Sequence, residues 1–408
     1  MLERSLFHIA FSPSWGRQMR FITGPRQSGK TTLAKMKLKE VGAQKLYYLW
    51  DLRSVRNRYK ETELFFTSDS PPQKSSKQWV CFDEIHKVSR WKNILKGIFD
   101  ATQEHYQFIV TGSSKLDVFR KAGDSLSGRY FTFQLFPLTL KEATGRPQIE
   151  KSECDNPLDF ILQRMSHQAK NKQNQDTLEQ LLAYSGFPEP FLAGRVEFQK
   201  KWSRDYLDRV ITEDIGLLTR ITDREKIHDL YQLFPEMIGS PVSENSLANH
   251  LESNPVTIKN YLKRLQDFYL AFKIMPYSRN IKRSLLKASK WYLYDWSRIR
   301  DPHKRFENYI AVDLNSRLSA WQDLTGIEFT LAYIRDKNKR ETDFLILKER
   351  KPWLMIEVKY SDSPIESHHI AVSNILGGIP VVQVCFENNI ASQEKKNAFR
   401  ISASRFLL

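Results

Sequence analysis

The chain has 408 residues, of which 41% are hydrophobic, 12% aromatic and 27% charged, a globular composition too long for one ordinary core, so two or three domains are expected. No apolar run nears the roughly 18 residues of a membrane span, and Glu3 and Arg4 interrupt what would be the apolar part of a signal peptide, which excludes a membrane partner from the expectation and favours a cytoplasmic protein. A formal net charge of +16 favours polyanions through counterion release, with nucleic acid the leading partner.

Cys81, Cys154 and Cys385 are scattered, with neither a CxxC pair nor zinc spacing, so they read as reduced thiols. The first strong local signal is Gly24-Pro25-Arg26-Gln27-Ser28-Gly29-Lys30-Thr31-Thr32, a G-x-x-x-x-G-K-T phosphate loop between strand-like Arg20–Thr23 and a helix-forming stretch. Gly24 and Gly29 let the backbone curl until successive N–H groups point at phosphates, and the following helix adds its positive dipole end. Lys30 is expected to reach the β and γ phosphates and Thr31 to offer its hydroxyl to Mg²⁺, so ATP and Mg²⁺ are the expected cofactors.

The apolar run Trp79-Val80-Cys81-Phe82 ends in Asp83-Glu84, the form of a Walker B strand. Asp83 is expected to hold the metal and Glu84 to orient the attacking water. A third strand, Gln107–Thr111, ends in Gly112-Ser113-Ser114, where Ser113 or Ser114 is a candidate γ-phosphate sensor, with a plain Gly-Ser turn as the alternative. Gly128-Arg129 offers Arg129 as an arginine finger, acting within one subunit or across a homo-oligomer interface; a surface ion pair is the competing reading.

From Thr144 to about Thr177 the composition turns polar, and Asn171–Asp176 read as too hydrophilic to pack, a linker or lid. Residues 178–235 look helical, broken at Gly186-Phe187-Pro188-Glu189-Pro190. A short helix over Ser243–Leu251, a turn, and a second helix from Pro255, capped by Asn254, lead into strand-like Ala271–Met275 and Trp291–Tyr294, the outline of a winged helix-turn-helix. Its second helix is expected to show Thr257, Lys259, Asn260, Lys263 and Arg264 outward and to bury Val256, Leu262 and Leu265. Arg279, Lys282, Arg283, Lys287 and Lys290 would form a basic wing. Residues 240–300 hold eleven Lys and Arg against four Asp and Glu, so DNA is the partner expected here, a protein partner the alternative.

The carboxyl-terminal part places Asp343 at the start of one apolar strand and Glu357-Val358-Lys359 at the end of the next. Glu357 and Lys359, two apart, leave a strand on the same face. Asp343 and Glu357, with Glu307 from an upstream helix, could bind a divalent metal, and Lys359 could position a water beside a scissile phosphate. The order helix with Glu, strand with Asp, strand with Glu-x-Lys, further strand is that of the PD-(D/E)xK nuclease core. An edge strand with a Glu357–Lys359 ion pair is the alternative.

Taken together these residues, with Leu135-Phe136-Pro137-Leu138, Pro276-Tyr277-Ser278-Arg279-Asn280 and Arg305-Phe306-Glu307-Asn308, resemble a family of prokaryotic AAA-type P-loop ATPases with a carboxyl-terminal winged helix and nuclease-like fold. The resemblance implies an α/β protein of four parts: a P-loop ATPase domain with a parallel sheet over residues 1–142, a helical lid or linker over 143–235, a winged helix-turn-helix over 236–298, and a restriction-endonuclease-like α/β domain over 299–408. The expected activity is ATP hydrolysis by a DNA-associated enzyme. A nucleotide-dependent switch that holds a protein partner, its nuclease fold idle, is the alternative. Thr342 precedes Asp343 where the motif's name has proline, which weakens DNA cleavage as a reading.

Overall fold

A computed structural model describes residues 2–72, 77–112, 126–166, 171–216, 224–278, 288–336, 338 and 340–408. The chain divides into two compact units, one of Arg4–Leu135 with Asp267–Tyr269, the other of Phe136–Gln266 and Leu270–Leu408 with residues 1–3.

The first unit is built on a five-stranded sheet with strands β1 (Met19–Thr23), β2 (Tyr47–Leu49), β3 (Gln78–Asp83), β4 (Tyr106–Thr111) and β5 (Tyr130–Gln134), in the spatial order β2-β3-β4-β1-β5. Every neighbouring pair is parallel. Both faces of a parallel sheet are covered, which is why β1 is buried at all five positions and β3 at five of six. Even Arg20 in β1 is 1% exposed. Its guanidinium donates to the carbonyls of Ala10 at 2.9 Å and Gly16 at 3.2 Å, closing the segment before β1 onto the strand. In such a sheet ligands gather at the carboxyl ends of the strands, here Thr23, Asp83 and Thr111.

The second unit carries helices and a nine-stranded sheet. Its strands are β6 (Pro241–Val242), β7 (Ala271–Pro276), β8 (Ser289–Leu293), β9 (Phe329–Arg335), β10 (Glu341–Lys348), β11 (Lys351–Lys359), β12 (Val381–Cys385), β13 (Ala391–Lys395) and β14 (Ala398–Ser402), ordered β13-β14-β12-β11-β10-β9-β7-β8-β6. Strands on both sides of residue 298 therefore belong to one sheet, joined where β7 runs parallel to β9 at Met275↔Ala332 and Pro276↔Tyr333. From β9 to β11 the pairing is antiparallel; β11, β12 and β14 run parallel.

Asn171–Tyr184 is a helix in which Asn174 and Gln175 are buried, so the segment read as too hydrophilic to pack does pack. The Gln175 amide nitrogen donates to the Phe386 carbonyl at 3.2 Å, which offsets part of the cost of burying it. The break at Ser185–Phe187 is immediately followed by helix Pro188–Ala193, with Pro188 in the first turn, where its missing N–H costs nothing.

The helix-turn-helix consists of Glu244–His250, capped by the Ser243 hydroxyl, and Pro255–Asp267, where the Asn254 carboxamide oxygen accepts from the Thr257 N–H at 2.8 Å. Ile258, Tyr261, Leu262 and Leu265 face the core, and Lys259, Asn260 and Lys263 are exposed. Val256 is 70% exposed instead of buried: it falls one position from the stripe that Ile258, Leu262 and Leu265 define. Of the expected wing, Arg279, Lys282, Arg283 and Lys287 lie outside the described residues, and Lys290 is a buried member of β8 instead.

Candidate functional site

The phosphate loop follows β1 and ends where helix Lys30–Glu40 begins. Gly24 has φ 141° and Gly29 φ 100°. A Cβ at Gly24 would lie 2.2 Å from the Leu135 carbonyl oxygen, so only glycine fits there. Gln27 also turns left-handed, at φ 61°. Lys30 is 6% exposed, and its ammonium donates to the carbonyls of Gly24 at 3.0 Å and Pro25 at 2.6 Å, which holds it folded over the loop. Arg4, which nothing in the sequence tied to the loop, braces it from the other end by donating to the Ser28 carbonyl at 2.8 Å.

Asp83 ends β3, 2% exposed. The Thr31 hydroxyl donates to its Oδ2 at 2.8 Å, the Tyr47 hydroxyl donates to the same oxygen, and the Thr111 hydroxyl donates to its Oδ1. Three hydroxyls from three elements thus fix the carboxylate beside the loop's last residue. Glu84 follows with φ 59°, a left-handed conformation that costs about 1–3 kcal/mol in a non-glycine residue and is kept where function needs it. Its Oε2 lies 3.5 Å from His86 Nε2 and 3.6 Å from Lys87 Nζ. Burial lowers the His86 pKa, and Glu84 pulls against that.

Ser28 Oγ and Gln27 Oε1 are buried and find no hydrogen-bond partner among the described residues, the condition that a bound group or a water relieves. With the loop amides, the Lys30 ammonium and the hard oxygens of Thr31 and Asp83, these residues fit a triphosphate and Mg²⁺. Pro25, Arg26 and Thr32 lie in the same loop and first helical turn. Ser113 and Ser114 lie outside the described residues. Arg129 stands in a bidentate pair with Asp100, Nε to Oδ1 at 2.7 Å and Nη2 to Oδ2 at 2.9 Å, a geometry it must leave to touch a phosphate.

In the second unit, Glu307 sits on helix Pro302–Thr325, Asp343 on β10, and Glu357 and Lys359 on β11. The sequence motif does converge. Asp343 Oδ2 accepts from the Val358 N–H at 3.0 Å, and the Asp343 N–H donates to Glu357 Oε2 at 3.4 Å. Glu357 Oε1 is 2.9 Å from Lys359 Nζ, and its Oε2 is 3.6 Å from His369 Nε2. Lys290, expected in the wing, and Glu341 and His369, not singled out from the sequence, complete the group. Lys290, 1% exposed, lies 3.2 Å from Glu341 Oε2, 3.5 Å from Asp343 Oδ1 and 3.8 Å from Glu307 Oε1. Burial alone would lower the Lys290 pKa, but Glu307, Asp343 and Glu341 outweigh it and raise it. Burial and then Asp343 raise both Glu307 and Glu357. Among the described residues, no group of three or more His, Cys, Asp and Glu is arranged to hold a metal ion.

The second unit also holds an open cleft of about 1020 Å³ lined by Lys200, Arg204, His228, Arg298, Arg300 and Arg305, with Asp208 and Glu236 the acids among its walls. Arg298 is fixed by donating to the Ser203 carbonyl at 3.0 Å and by stacking on Tyr231. These cations come from three separate stretches of chain, so no local run announces them.

Three family models match segments of the chain: an AAA domain over residues 16–144, a domain of unknown function (DUF8612) over 175–299, and another (DUF4143) over 304–403. An uncharacterised protein of Methanocaldococcus jannaschii is 24% identical over 286 residues, covering 67% of this chain, and the chain spans about 60% of that relative's length. An uncharacterised protein of Haemophilus influenzae is 22% identical, covering 68% of this chain and 67% of its own. Among solved structures, the ORC1 protein of Aeropyrum pernix in complex with DNA aligns over 78% of this chain and 94% of its own at 12% identity, with a TM-score of 0.29, too low to carry its function across. No helix among the described residues is long and apolar enough to cross a membrane. Residues 16–144, which hold the phosphate loop and Asp83, are thus similar to an AAA domain.

Proposed function

We propose that this protein hydrolyses ATP in its first unit and binds DNA with its second. The observation that carries the reading is the Thr31–Asp83 contact beside the Lys30 loop: the two ends of the phosphate-binding apparatus, 52 residues apart, meet at 2.8 Å. In this reading the loop amides and Lys30 hold the β and γ phosphates, and Thr31 and Asp83 hold Mg²⁺. Glu84 orients the attacking water, and Arg129 supports the phosphoryl group after leaving Asp100. Magnesium, when bound, supplies neutralisation of the phosphate charge. Positioning and electrostatics are what phosphoryl transfer asks of a protein, and these residue types provide both.

DNA binding is supported by the exposed Lys259, Asn260 and Lys263 on helix Pro255–Asp267, whose second place in a helix-turn-helix suits groove entry. The Arg- and Lys-lined cleft supports it through phosphate contacts. Restriction-endonuclease-like topology in the terminal part is supported by the order of helix Pro302–Thr325, antiparallel β9 to β11, helix Ser367–Ile375 and parallel β12.

The test is phosphate release from ATP, with and without duplex DNA, by the wild type and Lys30→Ala. The expected result is turnover that DNA stimulates and that Lys30→Ala abolishes. Turnover indifferent to Lys30 would overturn the ATPase reading; DNA-indifferent turnover with no DNA binding, and a protein retained only in the presence of ATP, would replace DNA by a protein partner.

A further inference from the structure

The nuclease-like order of the terminal part implies a divalent metal held by Asp343, Glu357 and Glu307. The side chains present do not fit one. Where oxygen ligands would converge at the 2.0–2.6 Å that Mg²⁺ or Ca²⁺ requires, the chain has placed an ammonium: Lys290 Nζ lies within 3.2–3.8 Å of Glu341, Asp343 and Glu307.

We propose that Lys290 of β8 is the resident cation of this carboxylate group, and that the terminal part of the protein is a metal-free module built on a nuclease-like frame. The inference is independent of ATP hydrolysis in the first unit.

Every contact around the ammonium is made for a lysine. It is 1% exposed and lies 5.4 Å from the Tyr333 ring centroid, which adds cation–π attraction. Other donors of the protein engage three of the surrounding carboxylates. Tyr292 donates its hydroxyl to Glu307 Oε1 at 2.8 Å, Val358 its N–H to Asp343 Oδ2, and Lys359 pairs with Glu357. Gly239 leaves room for the Glu307 carboxylate, since a Cβ there would lie 2.7 Å from Oε2. A divalent ion entering this group would have to displace this buried ammonium.

The experiment is a Mn²⁺ titration of the nucleotide-free full chain, followed by calorimetry and by electron paramagnetic resonance, on wild type, Asp343→Asn, Lys290→Met and Lys290→Met/Asp343→Asn. Wild type and Asp343→Asn are expected to bind Mn²⁺ identically. Lys290→Met is expected to gain a site about tenfold or more tighter than any in wild type, because a dication then meets carboxylates relieved of their ammonium, and the double variant is expected to lose it. A wild-type site that Asp343→Asn removes, or a folded Lys290→Met that gains none, would overturn the proposal. Should Lys290→Met not fold, the comparison of wild type with Asp343→Asn decides alone.

Discussion

At Gly24 a single methyl group would meet the Leu135 carbonyl oxygen at 2.2 Å, on a backbone at φ 141° that side chains avoid. Both partners are backbone, so neither can yield without moving β1 or the strand end beside it. Gly24→Ala is therefore expected to cost about 3 kcal/mol or more and to abolish ATP binding, read by denaturant unfolding and by calorimetry. Glu84→Gln keeps the shape and removes the charge. It is expected to retain ATP affinity while slowing phosphate release by about 10²-fold, since the water loses its orienting carboxylate and the loop loses nothing; an unchanged rate would assign that task elsewhere. The phosphate loop and the Asp83-Glu84 pair were legible because each is a contiguous string whose chemistry is local. The hydroxyls of Tyr47 and Thr111 that fix Asp83 were not, because a tyrosine in one strand and a threonine in another carry no sign that they share an oxygen.

Between elements, side chains do what backbone pairing cannot. Asn308 on helix Pro302–Thr325 is fully buried, and its amide clasps Leu293 of β8 on both sides, accepting from the N–H at 2.8 Å and donating to the carbonyl at 2.7 Å. Asn308→Ala leaves two buried backbone groups without this partner, at an expected cost of about 2–4 kcal/mol in denaturant unfolding; Asn308→Asp, which sets a buried carboxylate against the Leu293 carbonyl, should cost at least as much.

A second tie is ionic. Glu153, 3% exposed, meets Lys141 at 2.7 Å, Arg164 at 3.0 Å and Arg317 at 3.5 Å. Burial would raise its pKa, but Arg317, Arg164 and Lys141 together hold it down at about 2, against an ordinary 4.5. The unfolded chain takes up this proton first, so the stability from Glu153 is complete above about pH 4.5 and is lost as pH falls toward 2. Glu153→Gln strands three buried cations and is expected to lose about 3–5 kcal/mol at neutral pH, with a flatter acid limb between those values; an unaltered limb would place the acid sensitivity elsewhere. The helix-turn-helix could be read from caps and periodicity. The fate of Lys290 could not, since a lysine in a basic stretch reads as solvated until the strand that carries it is seen beside carboxylates 17 to 53 residues away in sequence.

For the whole molecule, the +16 charge is an argument about association. If the cleft follows a phosphate backbone, replacing the exposed Arg204 and Arg300 by alanine should weaken duplex binding across sequences and reduce the slope of log affinity against log salt by about one for each cation removed. Lys263→Ala on the helix should instead change which sequences are preferred, if that helix enters a groove; equal effects from both sets would place all contact on phosphate. The junction of β7 with β9 has a practical corollary for anyone dissecting this protein. A scissor cut near residue 298, where the motifs suggest a seam, would bare a raw hydrogen-bonding edge on each fragment and strip Lys290 of its counter-ions. Such halves should come out of expression as aggregates, while a cut between Leu135 and Phe136 leaves the nine-stranded sheet on one fragment.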